Sequence, residues 1–538
     1  MSYLNKHTNK GNVPQSEPLV STQIKNRAGG YVYKISHWDQ LNRFLILGTM
    51  GATYYASERE MTMENLKTLD RCLDEDGLRV VNTAVQVSVE GRAPKNDQAI
   101  LLLAKASMHS DLQVRRAAFD AVPKVCRIGT HLYQFAQFRK DLEGGWGRLM
   151  RETVGNWFNE KPAEKVAYQV AKYKQRNGWS ARDLLRKSHP KTDSNEHNAI
   201  YRWVVSNGEV VKEELPTFLT VCNDIKNVSA KEAVKLIKEH KLPREVVPTE
   251  MLNDIKIWDA LLPSMPMTAM IRNLGKMSSI GLLKPNSKRT AHVVGMLNNQ
   301  EAIKKSRIHP MNVLTAMMTY KHGKGIKGSL SWVVNQDIVA ALEDAFYLSF
   351  GNVEPTGKRT LIGLDISGSM TWGESGWYGS DTGLMGVPGL SPRIASAALC
   401  MTTVRTEKVN CHTMGFAGNF VDIRINRKDS LESAMGKAQG DFGGTDCAVP
   451  MKWALKNKVD VDTFIVYTDS ETYGGGKHPS QALKEYRREM NIPAKLIVCG
   501  MTATNSSIAD PNDPGMLDLV GMDSATPKLI SEFSKSSM

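Results

Sequence analysis

Two apolar runs, Leu361-Ile362-Gly363-Leu364 and Thr463-Phe464-Ile465-Val466-Tyr467-Thr468, each lead directly into an aspartate, Asp365 and Asp469. Runs without polar alternation are what strands buried on both faces require, and parallel sheets are where such strands occur. In open α/β sheets the ligand crevice lies beyond the carboxyl ends of the strands, where both aspartates fall. Asp365 begins the loop Asp365-Ile366-Ser367-Gly368-Ser369. Alternate residues of an extended loop face one way and Gly368 permits a sharp bend, so Asp365, Ser367 and Ser369 can converge on one point. The segment Phe442-Gly443-Gly444-Thr445-Asp446 adds a hydroxyl on a glycine loop. All these donors are oxygens, which suits a hard cation such as Mg²⁺. A helix cap followed by a serine turn is the structural alternative for the first loop taken by itself.

Taken together and in this order, the three segments resemble the metal-ion-dependent adhesion site of von Willebrand factor A domains. The resemblance implies that Ser367, Ser369 and Thr445 bind a divalent cation, most simply Mg²⁺, through their hydroxyls. Asp365 and Asp469 would contribute directly or through water, leaving one coordination position for an acidic group of a protein partner.

The chain has 538 residues, enough for two or more domains, and its formal net charge is +13. That charge is unevenly placed. Residues 1–350 hold 50 Lys and Arg against 35 Asp and Glu, net +15, whereas residues 351–538 hold 19 against 21, net −2. A polyanion partner is therefore expected on the first part. No run approaches the ~18 apolar residues of a membrane span, and the first twenty residues have no signal-peptide core, so a cytoplasmic protein without a membrane partner is expected. The 7 cysteines are scattered and never spaced as CxxC, which indicates neither a disulfide framework nor a zinc site.

Residues 1–28 lack apolar periodicity and read as a flexible tail. From residue 29 to 350 the pattern is helical, with apolar clusters at helical length or spacing separated by Gly, Pro or polar breaks. Such a succession of helices suggests stacked antiparallel pairs of the HEAT type, with an irregular helical domain as the alternative. Residues 351–358 form a Pro/Gly linker. Residues 359–538 then alternate strand and helix signals, the pattern of a doubly wound sheet. The glycine-rich stretch 372–392 reads as a mobile loop beside the metal or as packed irregular structure.

Within the basic part, residues 172–191 interleave Lys172, Lys174, Arg176, Arg182, Arg186, Lys187, His189 and Lys191 with Tyr173 and Trp179. Cations neutralise phosphates while aromatic planes stack on unpaired bases, the pairing expected of a single-stranded RNA surface. Ser180 is positioned to cap the following helix. A solvated helical face with Trp179 in the core is the alternative, and a hydrogen-bonded structural histidine is the alternative for His189.

At larger scale the sequence resembles the Ro ribonucleoproteins, a TROVE helical module followed by a von Willebrand A domain. The match is carried by Gly129-Thr130-His131-Leu132, Gly145-Trp146-Gly147-Arg148, Ser188-His189-Pro190, Arg272-Asn273-Leu274-Gly275-Lys276-Met277, Arg307-Ile308-His309-Pro310, Gly443-Gly444-Thr445-Asp446-Cys447 and Ile508-Ala509-Asp510-Pro511. The glycine-rich stretch 372–392 is closer to bacterial members. The resemblance implies an α plus α/β fold, a ring of HEAT-like helical repeats closed by the von Willebrand A domain. It also implies binding of Y RNA on a basic outer surface and of single-stranded 3′ ends of misfolded non-coding RNA in a central hole. In bacteria Y RNA can tether such a ring to an exoribonuclease for RNA quality control and maturation. Lys172, Lys174, Arg176, Lys187 and His189 match a segment implicated in RNA contact, and Arg272 and Lys276 are further candidates. No enzyme is expected, because neither a phosphate-cradling GxxxxGK[ST] loop nor a paired-metal carboxylate cluster is present. Two rivals are a Mg²⁺-dependent hydrolase with Asp365 as nucleophile and a protein-binding adhesion module that leaves the basic part without a role.

Overall fold

The computed structural model describes residues 11–48, 58–208, 214–325, 328–351, 353–374, 383–384, 387, 389–407, 411–439 and 444–536. They divide into two compact units. One contains the residues up to Arg71, His309–Met311 and everything from Phe346 onward; the other contains Cys72–Ile308 and Asn312–Ala345.

The first unit is built on a six-stranded sheet in the spatial order Met516–Val520, Lys495–Gly500, Thr463–Thr468, Thr360–Asp365, Cys411–Phe416, Phe420–Val421. All neighbours pair in parallel except the last, which is an antiparallel edge. Every residue of Thr360–Asp365, Thr463–Thr468 and Lys495–Gly500 is buried, as their unbroken apolar character predicts. Leu361, Phe416, Phe464, Val466, Leu496, Val498 and Tyr486 make the core between sheet and helices. From Thr360–Asp365 the chain adds strands first to one side and later to the other. The switch in direction therefore falls between the strands that lead into Asp365 and Asp469, where α/β sheets open a ligand crevice.

The N-terminal segment departs from the sequence expectation. Residues 11–28, expected to form a flexible tail, are packed on this unit. Gln23–Lys25 pairs antiparallel with Tyr31–Lys34, which in turn pairs with Ser506–Ser507. Gln15 is fully buried, its amide nitrogen donating to Asp446 Oδ1 at 2.7 Å and to the Lys477 carbonyl at 2.8 Å. Farther along, Arg43 makes a bidentate pair with Asp518, both contacts at 2.7 Å. By their contacts, the described residues 29–48 and 58–71 group with the sheet unit rather than with the remaining helices. The physical reason is polar: each contact satisfies a buried donor or acceptor, which an apolar-periodicity reading does not register.

The second unit is helical, as expected. Its described helices include Asp97–Ala106, Leu112–Val125, Gly129–Asp141, Arg148–Asn159, Ala163–Lys172, Ala181–Ser188, Met267–Ser279, Lys288–Leu297 and Gln300–Ser306. A two-stranded hairpin, Gln175–Arg176 with Trp179–Ser180, interrupts them. Most of the glycine-rich stretch (375–382, 385–386 and 388) and Phe442-Gly443 of the glycine loop lie outside the described residues.

Candidate functional site

Asp365 ends its strand with its side chain fully buried. One carboxylate oxygen accepts the Ser367 N–H at 3.0 Å and the Ser367 hydroxyl at 2.6 Å, and the other accepts the Thr468 hydroxyl at 2.6 Å. The hydroxyls of Ser367 and Ser369 are 3.3 Å apart, and Ser369 hydrogen-bonds to Asp469. Asp469 also accepts the Glu471 N–H at 3.0 Å. The carbonyl of Thr445, itself buried, accepts the Tyr473 and Gly474 N–H groups at 2.8 and 2.9 Å, tying the glycine loop to the loop after Asp469. Asp365, Ser367, Ser369 and Asp469 thus form one hydrogen-bonded group, with Thr445 on the adjoining loop.

Burial, and then the charge of Asp469, push the Asp365 carboxyl up to about 7. Burial raises Asp469 as well. Glu471, which sequence reasoning did not select, is pushed up to about 7 by burial and Asp469. Its one sequence signal is its place two residues beyond Asp469. Glu471 is held by the Ala28 N–H at 3.0 Å and feels the charge of Arg27, so the N-terminal segment reaches this loop. Asp469 raises the proton affinity of both Asp365 and Glu471, and a cation bound beside Asp365 and Asp469 would supply the missing positive charge. No group of three or more His, Cys, Asp or Glu arranged for a metal occurs among the described residues. A site on Ser367, Ser369 and Thr445 with two aspartates is not of that kind, because hydroxyls make up most of its donors, and its oxygen-only character suits Mg²⁺.

The basic segment folds as the cap expectation requires. Ser180 accepts the Asp183 N–H while Asp183 accepts the Ser180 N–H, a reciprocal capping box that starts helix Ala181–Ser188. His189 ends that helix in the left-handed region with φ 46° and is exposed. This places it outside the core. Trp179 is buried and donates from Nε1 to Gln137 at 2.9 Å, with Trp146 at a centroid distance of 5.8 Å. Lys187 Nζ stands 5.7 Å from the Trp146 ring centroid. Lys174 and Arg176 are exposed on the hairpin, and neither they nor Lys187 form an ion pair among the described residues. Lys172 is half-buried, donating to the Tyr168 hydroxyl at 3.1 Å beside the Tyr168 and Tyr173 rings. Its ammonium is less available than the other cations. Arg272 and Lys276 lie on a different helix, Met267–Ser279; Arg272 is exposed and Lys276 donates to Asn253 at 2.8 Å.

Comparison with known proteins accounts for both units. The TROVE domain model matches residues 24–238 and 229–358, and the Ro60 vWA domain model matches residues 359–534. The chain is 41% identical over 541 residues to a protein of Deinococcus radiodurans named RNA-binding protein RO60, covering 99% of each chain. It is 35% identical over 601 residues to a protein of the same name from Caenorhabditis elegans, covering 96% of this chain and 91% of that one. Among solved structures, the crystal structure of the Deinococcus radiodurans RO (RSR) protein aligns with TM-score 0.69 and 40% identity over 93% of this chain and 99% of that one.

Proposed function

Because this chain belongs to the Ro60 family of RNA-binding proteins, we propose that it binds Y RNA and the single-stranded 3′ ends of misfolded non-coding RNA. The observation that carries this reading is the exposed hairpin and helix end bearing Lys174, Arg176, Lys187 and His189 beside Trp146 and Trp179. Cations without carboxylate partners remain free to neutralise phosphate, and the half-buried Trp146, packed on the buried Trp179, supplies a surface for a base. The role in view is RNA quality control and maturation, with an exoribonuclease as the partner that removes rejected RNA.

The second unit of function in this reading is a Mg²⁺ site on Asp365, Ser367, Ser369, Thr445 and Asp469. A bound Mg²⁺ would supply a docking position for a carboxylate of an acidic protein partner. No catalytic step is assigned to Asp365, both of whose carboxylate oxygens already accept hydrogen bonds from Ser367 and Thr468. A cytoplasmic setting agrees with the seven cysteines all being free thiols, six of them buried. No helix among the described residues is long and apolar enough to cross a membrane.

Crosslinking the native complex and sequencing its RNA tests the proposal, together with affinities for one structured RNA carrying either a free 3′ tail or a base-paired end. Small structured RNAs and preference for the tailed form are the expected results. Equal binding of both forms refutes recognition of the single-stranded end.

A further inference from the structure

In the helical unit, three loops far apart in sequence meet. Asn312 donates to the Pro94 carbonyl at 3.1 Å, and a Cβ placed on Gly91 would lie 3.8 Å from both Cβ and the carbonyl oxygen of Arg307. From the third loop, Arg127 Nη1 donates to Ser88 Oγ at 3.0 Å and to the Lys124 carbonyl at 2.9 Å. Ser88 donates to Asn96, whose amide donates to the Val125 carbonyl at 2.9 Å. The half-buried Arg127 is thereby fixed against the end of helix Glu58–Glu90, where Arg307 also arrives.

Neither arginine forms an ion pair among the described residues. Burial first, and then the nearby charge of Arg307, disfavour the protonated form of Arg127. Beside Arg307, Lys304 and Lys305 are exposed and also lack ion pairs. Arg307 itself is exposed in the left-handed region, φ 52°, a conformation that asparagine or glycine adopts more readily. Like charges held together in a folded protein without a counter-charge mark a place for an anion, and guanidinium groups match a phosphate's oxygens.

We propose that Arg127 and Arg307 together hold a backbone phosphate of bound RNA at this meeting of loops. The site is separate in sequence from the hairpin of Lys174 and Arg176. It rests on the RNA-binding reading and assigns a second contact to it. Arg127 is the positioned group, held by Ser88 and the Lys124 carbonyl, and Arg307 closes from the opposite loop.

Arg307→Asn in the full chain tests it, because asparagine tolerates the backbone conformation and no hydrogen bond of the Arg307 side chain is lost. Filter binding of a tailed structured RNA should weaken roughly 3- to 10-fold at low salt. The slope of log affinity against log salt should become shallower by about 0.7–0.9, the value for one phosphate contact. Without RNA the variant should melt at or above the wild-type temperature, since a repulsive charge is gone. With inorganic phosphate as the only probe, wild type should be stabilised relative to matched chloride, and the variant should not. Unchanged affinity and slope in the variant, while Lys174→Ala with Arg176→Ala weakens binding, overturns this site but leaves the RNA-binding reading standing. Loss of phosphate stabilisation with unchanged RNA binding overturns the assignment to RNA. Failure of wild type to bind RNA overturns both readings.

Discussion

Asp365→Asn separates the cost of the buried carboxyl cluster from the benefit of a metal. In the metal-free fold the Asp365 carboxyl rises from 3.8 to about 7. At ~1.4 kcal/mol per pH unit, the ionised group is about 4 kcal/mol more costly in the fold than in the unfolded chain. The folded state holds its proton to higher pH than the unfolded state. Stability from this group is therefore full below about pH 4 and is lost as pH rises through about 7. Glu471 and Asp469 are raised as well and act in the same direction. Asparagine has the same shape, still accepts from Ser367 and has no charge to desolvate. At pH 8 in chelator, the sheet unit of Asp365→Asn should melt above wild type, by on the order of 10 °C at the ~2–4 °C per kcal/mol typical of this size. Mg²⁺ should stabilise the wild type at pH 8 by about 2.7 kcal/mol at a hundredfold excess over the dissociation constant, raising its melting temperature by about 5–11 °C, and leave the variant unmoved. The assay is calorimetric melting at pH 5 and pH 8 with chelator or Mg²⁺. If the metal-free variant melts below wild type at pH 8, or responds to Mg²⁺ as fully as wild type, the charge argument is refuted.

Other expectations follow from exposure and close approach. Lys174→Ala combined with Arg176→Ala should leave melting unchanged, because both side chains are exposed, and should flatten the salt slope of RNA binding by about 1.4–1.8 if each contacts one phosphate. His189→Ser should likewise spare stability and weaken RNA binding, measured by melting and filter binding on one preparation; a large drop in melting temperature would show a packing role instead. In Gly30→Ala the new Cβ would lie 1.9 Å from the Thr472 carbonyl oxygen, so the N-terminal segment must lift. That should cost about 1–3 kcal/mol and speed proteolysis within residues 11–30, detected by mass spectrometry of timed digests. Ser180→Ala should cost about 1 kcal/mol through loss of the helix cap, read from melting.

Local patterns carried a large part of this protein. The apolar runs leading into Asp365 and Asp469 and the Ser180 cap were legible because each depends on residues adjacent in sequence. The strand Met516–Val520 and the edge Phe420–Val421 were not, since they are short and only partly buried, and long-range pairing makes them strands. The hydroxyls and carboxylates of the candidate metal site were named from the order of their motifs. Glu471 was missed because its part in the cluster depends on burial and on the Ala28 N–H.

Sequence alone determined which segments are strands with carboxylate ends, which are helices, and which part carries the positive charge. Those properties follow from composition and periodicity over a few residues. Tertiary structure decided that Gln15 is buried against Asp446, that the described residues 11–48 and 58–71 group with the sheet unit, and that the loops carrying Arg127 and Arg307 come near one another. The first two depend on where distant buried donors and acceptors find partners, and the third on where packing brings two like charges near one another, once the apolar core has joined the segments.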